Sequence, residues 1–241
     1  MSIGTALILA GGFGTRLVET IGGSIPKPMA MVNQKPFLEY LLLYLKSQGI
    51  ENVIILCHYK HEKIVDHFNE GDKFGLKIKY IIEDEPLGTG GALINAARII
   101  KDKFFFVFNG DSIFITSLSP LLKLHNTMNG ICTMALKELD DTGRYGRVTL
   151  DGNRIIGYQE KKIFEKGLIN SGVYIINKQL FVDMHFPQTC SFEDVILPKL
   201  LEDNFLYGQI MSGNFIDIGI PESYQKSQSL LQGWLAKNTG Y

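Results

Sequence analysis

Ala6-Leu7-Ile8-Leu9-Ala10-Gly11-Gly12-Phe13-Gly14-Thr15-Arg16-Leu17 opens with a short apolar run and breaks at once into three glycines. A run this short, bounded by glycine, reads as a strand buried on both faces. The glycines remove the Cβ atoms, so the backbone can approach a phosphate closely and offer its N–H groups to an anion. The chain beyond repeats the strand theme: Val53 to Cys57, Ile78 to Ile82 and Phe104 to Phe108 are further apolar runs. Between them lie helical patterns over Phe37 to Gln48, His61 to Phe68 and Gly91 to Ile100, the first closed by Gly49. Strands alternating with helices imply a parallel sheet covered on both sides.

In the second half the character changes. Val148 to Leu150 and Ile155 to Tyr158 flank Asp151-Gly152-Asn153, a hairpin signal, and Leu168 to Ile176 follows as a strand. A helix over Phe192 to Leu201, a strand over Leu206 to Met211 and a helix over Ser223 to Trp234 complete the expectation. No linker or repeat interrupts the chain. The expected fold is therefore a single-domain α/β chain: a Rossmann-like α/β/α sandwich with a mostly parallel central sheet and a smaller, partly antiparallel region.

Composition narrows the function classes. The 241 residues are 45% hydrophobic and 20% charged, which excludes a disordered chain. Lys plus Arg number 24 against 25 acidic residues, a net charge of -1, so no nucleic acid or anionic membrane surface is the expected partner. No apolar run reaches the roughly 20 residues of a membrane span, and the first nine residues are too short for a secretory signal, so a cytoplasmic protein is expected. Cys57, Cys132 and Cys190 stand far apart without a C-x-x-C pair and read as core residues.

The glycine segment is not a P-loop, because no Lys follows its last Gly, and not a full dinucleotide fingerprint, because Leu17 stands at the third glycine position. Arg16 offers a planar phosphate donor, and Pro26-Lys27-Pro28 sets a second cation on a stiff segment. Further on, Glu83-Asp84-Glu85-Pro86-Leu87-Gly88-Thr89-Gly90-Gly91 leaves a strand and opens a helix whose N-terminal amides could face a ligand. Asp111 follows the aromatic strand, at the strand end where open α/β sheets bind ligands. Asp217 lies in the apolar run Phe215 to Ile220, where a carboxylate needs a cation nearby. Two carboxylates with phosphate oxygens suit Mg²⁺. His58, His61 and His67 do not read as a metal site, since no acid or cysteine completes them.

From Leu9 to Met29 the pattern G-G-x-G-T-R-L followed by P-K-P resembles the signature of the sugar-1-phosphate nucleotidylyltransferases, and the resemblance extends to about Tyr224. It implies a Mg²⁺-assisted enzyme that joins a nucleoside triphosphate to a sugar 1-phosphate and releases pyrophosphate. On that resemblance Leu9, Ala10, Gly11, Gly12, Gly14, Thr15, Arg16, Lys27, Glu83, Gly88, Thr89 and Asp111 hold the nucleotide. Arg16, Lys27 and Asp111 serve catalysis, and Asp111 and Asp217 bind the metal. Tyr145-Gly146, Glu160-Lys161 and Asn170 resemble the sugar-phosphate elements, although Ser171 replaces a commoner Ala. Lys162 replaces a commoner Pro, which leaves open whether Lys161 or Lys162 holds the phosphate. Residues up to about 115 would then form the nucleotide-binding half, and about 116–241 the sugar-phosphate half with the last helix.

Glu83 bears on the base. Guanine presents N1–H and N2–H₂ side by side to one carboxylate, whereas adenine offers no such pair; GTP is favoured, while uracil and thymine also present an N–H and stay open on Glu83 alone. Glu83 to Ala92, Arg144-Tyr145-Gly146, Leu168 to Tyr174 and Tyr224 are similar to the subgroup of guanylyltransferases that act on D-glycero-α-D-manno-heptose 1-phosphate, which supply surface polysaccharide synthesis. Mannose 1-phosphate or another hexose 1-phosphate, and a non-catalytic nucleotide-sugar sensor, are the alternatives; a D-x-D glycosyltransferase is disfavoured because no D-x-D occurs. With no hexapeptide repeats after the last helix, no coupled acyltransferase activity is expected. The apolar surface around Trp234 leaves two readings, a homodimer contact or a cover for the chain's own sheet.

Overall fold

The computed structural model describes residues 4–12, 14, 17, 23–159 and 165–238. Along the chain come β1 (Thr5–Leu9), β2 (Met31–Val32), β3 (Lys35–Pro36), α1 (Phe37–Ser47), β4 (Asn52–Cys57), α2 (His61–Phe68), β5 (Lys77–Ile82) and α3 (Gly88–Ala97). Then follow β6 (Phe104–Asn109), β7 (Ser112–Ile115), α4 (Ser119–Met128), β8 (Cys132–Leu139), β9 (Arg147–Asp151), β10 (Arg154–Gln159) and β11 (Gly167–Asn177). The chain closes with α5 (Leu180–Asp183), α6 (Leu197–Glu202), β12 (Leu206–Ile210), β13 (Asn214–Asp217) and α7 (Pro221–Asn238). This mixed α/β chain forms two compact units. One takes residues up to 85, 109–113 and from 215 onward; the other takes 86–108 and 114–214.

In the first unit β1, β4 and β5 are parallel neighbours in the order β5-β4-β1, with Ile8 opposite Ile55 and Ile55 opposite Tyr80. β1 and β4 are buried on both faces, as their unbroken apolar sequence requires. The helix between them, α1, buries Leu38, Tyr40, Leu41, Leu42, Tyr44 and Leu45; each large apolar side chain removed from water contributes about 1.5–3 kcal/mol. It ends where Gly49 adopts φ +81°, a turn open to glycine. Even Glu39 is buried on this helix, ion-paired with Lys35 and 3.4 Å from His67 Nε2. β13 pairs with β7, and α7 follows directly after it.

The second unit has the strand order β6-β11-β8-β12-β10-β9. Its β8–β12 pair is parallel, whereas β6–β11, β11–β8, β12–β10 and β10–β9 are antiparallel. The hairpin at Asp151-Gly152-Asn153 forms where the turn residues demand it, with Gly152 at φ +58°. α4, β8 and the short α5 carried no sequence expectation. α4 and β8 are bounded in sequence by Ser119-Pro120 and Asn129-Gly130, turn signals that the reading of apolar runs passed over. The helix expected over Phe192 to Leu201 divides into one wide π-type turn at Phe192–Ile196 and then α6. Pro198 explains the division, since it fits the first turn of a helix but not its interior.

Candidate active site

In the first unit the end of β1 is the foundation. The ladder to β4 continues one residue past the strand through Ala10 N, which donates to Leu56 O at 2.9 Å. Gly14 sits at φ +62°, and a Cβ there would lie 2.7 Å from Lys27 Cβ. A side chain at 14 would therefore displace the Lys27 stem, which gives this glycine a steric purpose as well as a conformational one. Pro26 is extended, and Lys27 begins a short 3-10 turn that ends at Met29.

Lys27 Nζ donates to Asp111 Oδ2 at 2.5 Å, with the lysine side chain 12% exposed and the aspartate 41%. Two backbone bonds bring Asp111 there. Gly110 N donates to Leu9 O at 2.9 Å, and Ile218 N donates to Asp111 O at 3.0 Å. The second bond also makes Asp217 a neighbour of Asp111, although 106 residues separate them in sequence. Asp217 Oδ1 accepts from Gly219 N at 2.8 Å and lies 3.2 Å from Ser223 Oγ.

This donor set fits Mg²⁺. Two neighbouring carboxylates supply hard oxygens, and Mg²⁺ on a nucleotide fills its other positions with water and phosphate. Among the described residues no group of three His, Cys, Asp and Glu side chains could hold an ion.

Glu83 leaves β5 with its backbone fixed on both sides. Glu83 N donates to Cys57 O at 2.9 Å, and His58 Nδ1 stands 2.8 Å from Glu83 O. His58 thus supports the proposed base-reading residue, while His61 Nδ1 contacts His58 O and His67 meets Glu39. Burial pushes the thiol of Cys57 up to about 12 and also raises those of Cys132 and Cys190, which suits their reading as inert core residues.

In the second unit α3 begins at Gly88, at φ +73°, where a Cβ would come within 2.6 Å of Cys190 O. The expected ligand-facing amides are partly occupied: Gly90 N and Gly91 N both donate to Cys190 O. Thr89 is also tied inward. Its hydroxyl donates to Glu193 Oε2 at 2.8 Å and accepts from Phe192 N at 2.8 Å. The sequence reading missed Glu193, and no spacing signal linked it to Thr89, 104 residues earlier.

The sugar-side candidates in this unit meet at a β-bulge. The β11–β8 register shifts between Asn170 and Tyr174, with Gly172 at φ +74°, and such a bulge re-aims the side chains beside it. Asn170 Nδ2 donates to Tyr174 Oη at 2.7 Å, its Oδ1 accepts from Gly172 N at 3.0 Å, and its backbone N donates to Gly146 O at 3.1 Å. Tyr158 lies against Gly146, where any Cβ would collide with its hydroxyl. The Arg144 guanidinium covers the Tyr145 ring at 5.3 Å. Ser171, the departure from Ala, donates to Ala135 O at 2.7 Å and is buried. It braces the bulge against β8. Thr15, Arg16, Glu160, Lys161 and Lys162 lie outside the described residues.

Among the described residues no helix is long and apolar enough to cross a membrane. The chain is 41% identical over 231 residues to D-glycero-alpha-D-manno-heptose 1-phosphate guanylyltransferase of Aneurinibacillus thermoaerophilus, covering 95% of this chain and 99% of that one. It is 44% identical over 224 residues to the protein of the same name from Campylobacter jejuni, covering 91% and 96%. The crystal structure of HddC from Yersinia pseudotuberculosis complexed with GMP-PN superposes with a TM-score of 0.84 at 36% identity, over 95% of this chain and 99% of that one. The nucleotidyl transferase family model matches residues 5–232, nearly the whole chain, and the chain belongs to the nucleotidyl transferase family.

Proposed function

We propose that this chain transfers GMP from GTP to D-glycero-α-D-manno-heptose 1-phosphate, forming a GDP-heptose and pyrophosphate in the cytoplasm. The observation that supports the chemistry is the Lys27–Asp111 pair beside Asp217 at the end of the glycine loop. The likeness to two heptose 1-phosphate guanylyltransferases over nearly their whole length supports the substrates.

The sugar phosphate is already an anionic nucleophile, so no general base is needed. Its oxygen forms a bond to the α-phosphorus as the bond to the β-phosphate oxygen breaks, and pyrophosphate leaves in line. Positioning and charge neutralisation then carry the rate. Lys27, with Arg16, neutralises triphosphate oxygens. Glu83 accepts from guanine N1–H and N2–H₂, with its backbone held by His58. Asp111 and Asp217 would hold Mg²⁺, which when bound neutralises phosphate charge. Tyr145, Gly146, Asn170, Glu160 and Lys161 bind the sugar phosphate.

The test is pyrophosphate release in Mg²⁺ with GTP, ATP, CTP, UTP and dTTP against the heptose 1-phosphate and mannose 1-phosphate. GTP with the heptose phosphate is expected to be the fastest pair. Release with mannose 1-phosphate alone would move the chain to the hexose reading, and binding without release would make it a sensor.

A further inference from the structure

We propose that the first two turns of α7 form a clamp that positions both charged partners of the site, Ser223 acting on Asp217 and Tyr224 with Gln228 acting on the segment that carries Lys27. The inference rests on the reading of Lys27, Asp111 and Asp217 as the charge-handling set, and it concerns residues that touch no reacting atom.

On the carboxylate side, Asp217 ends β13 and the chain turns through Gly219 into Pro221, the first residue of α7. Gly219 N and Ser223 Oγ both address the same oxygen, Oδ1. Ser223 Oγ also lies 3.1 Å from Ile220 O. Its single proton prefers the charged acceptor, because charge-assisted hydrogen bonds are the stronger ones. The orientation of Asp217 is thus held by the turn into α7 and by the first turn of that helix, in the way hydrogen bonds hold the carboxylates of a metal site.

On the lysine side, one helical turn further, Tyr224 Oη donates to Met31 O at 2.5 Å. Gln228 Oε1 accepts from Asn33 N at 2.9 Å, the Asn33 side chain donates to the Gln228 carbonyl, and Gln228 Nε2 reaches Met31 O at 3.4 Å. Met31 is four residues from Lys27, and Ala30 N donates back to Lys27 O. The turn between β2 and β3 is held with Asn33 at φ 45° and Gln34 at φ 68°, values uncommon for residues with a side chain. Tyr224 and Gln228 lie four apart on one helix face, and that face meets the β2–β3 hairpin at the Met31 carbonyl, the Asn33 backbone amide and the Asn33 side chain. A single rigid helix therefore ties the position of the cation to that of the carboxylate across about 190 residues of chain.

The test uses Ser223→Ala, Ser223→Thr and Tyr224→Phe, with Mn²⁺ as a paramagnetic stand-in for Mg²⁺. Mn²⁺ affinity is read by electron paramagnetic resonance in the GTP complex without sugar phosphate, and kcat and KM are read separately. Ser223→Ala is expected to weaken Mn²⁺ binding about 10- to 100-fold, and Ser223→Thr to restore it. Tyr224→Phe is expected to lower kcat about tenfold with Mn²⁺ affinity unchanged, since it acts on the lysine segment alone. Unchanged Mn²⁺ affinity in a folded Ser223→Ala, or a loss that Thr does not rescue, overturns the carboxylate arm. Normal kcat in Tyr224→Phe overturns the lysine arm, and because it removes one oxygen from a partly exposed ring it tests the clamp even if Ser223→Ala fails to fold. Lys27→Ala and Asp217→Asn, measured alongside, separate the two levels: normal turnover in both removes the underlying assignment, whereas their loss with intact clamp variants removes only the clamp.

Discussion

The ammonium of Lys27 and the carboxylate of Asp111 meet at 2.5 Å although they stand 84 positions apart in sequence. On the proposed reading, Lys27 turns to the triphosphate and Asp111 to the metal when both are bound. Lys27→Ala is expected to lower kcat by about 10²–10³-fold, the scale of one lost electrostatic donor at a site of developing charge. Stability should change by less than about 1 kcal/mol, because Asp111 is partly exposed and such pairs are screened. Pyrophosphate release and a urea titration together distinguish this outcome from a folding defect.

Glu83→Gln tests the base. A carboxylate accepts from both guanine donors, whereas a glutamine sets its own NH₂ against the 2-amino group. We expect kcat/KM for GTP to fall about 10- to 100-fold, in line with the loss of hydrogen bonds to a charged group. Inosine triphosphate lacks the 2-amino group and should lose less, so the GTP to ITP preference shrinks. An unchanged preference would remove Glu83 from base reading.

Asn170→Ala tests the bulge. Asn170 links Tyr174 Oη, Gly172 N and Gly146 O, and Tyr174 is fully buried. Removing the amide leaves that hydroxyl without its donor, at a cost of about 1–3 kcal/mol in unfolding free energy. The KM for the sugar phosphate should rise while that for GTP holds. Equal rises in both would argue for general loosening of the site.

His125 gives a pH signature unrelated to catalysis. It is buried, its Nδ1 lies 2.9 Å from Thr133 Oγ1, and Phe104 lies against its ring. Burial, with a smaller contribution from Lys103, lowers its pKa to about 4. The unfolded chain takes up a proton near pH 6.5 while the folded chain does not until about pH 4. Stability therefore rises with pH across that window and is flat on either side as far as this residue is concerned. The total is up to about 3 kcal/mol, at about 1.4 kcal/mol per pH unit. Unfolding free energies at pH 4.5 and pH 7 should differ less in His125→Gln than in the parent chain.

What the sequence determined by itself was local. A strand running into glycines, a lysine between prolines, an acid closing an aromatic strand and an acid inside an apolar run all announce themselves through nearest neighbours. Strand and helix positions in the first half followed from apolar periodicity, and the Asp151-Gly152-Asn153 turn followed from its residue types. The tertiary structure decided which distant groups share a partner. Nothing near Thr89 foretells Glu193, and nothing near Asp217 singles out Ser223 over the neighbouring polar residues of α7. The amides of Gly90 and Gly91 read as ligand donors until Cys190 O is seen to take them. Asn170 owes its aim to a bulge that exists only when β11 is paired with β8. The physical reason is that propensity and periodicity act over a turn or a strand, whereas a pair such as Thr89 and Glu193 forms only when packing brings segments about a hundred residues apart into hydrogen-bond range.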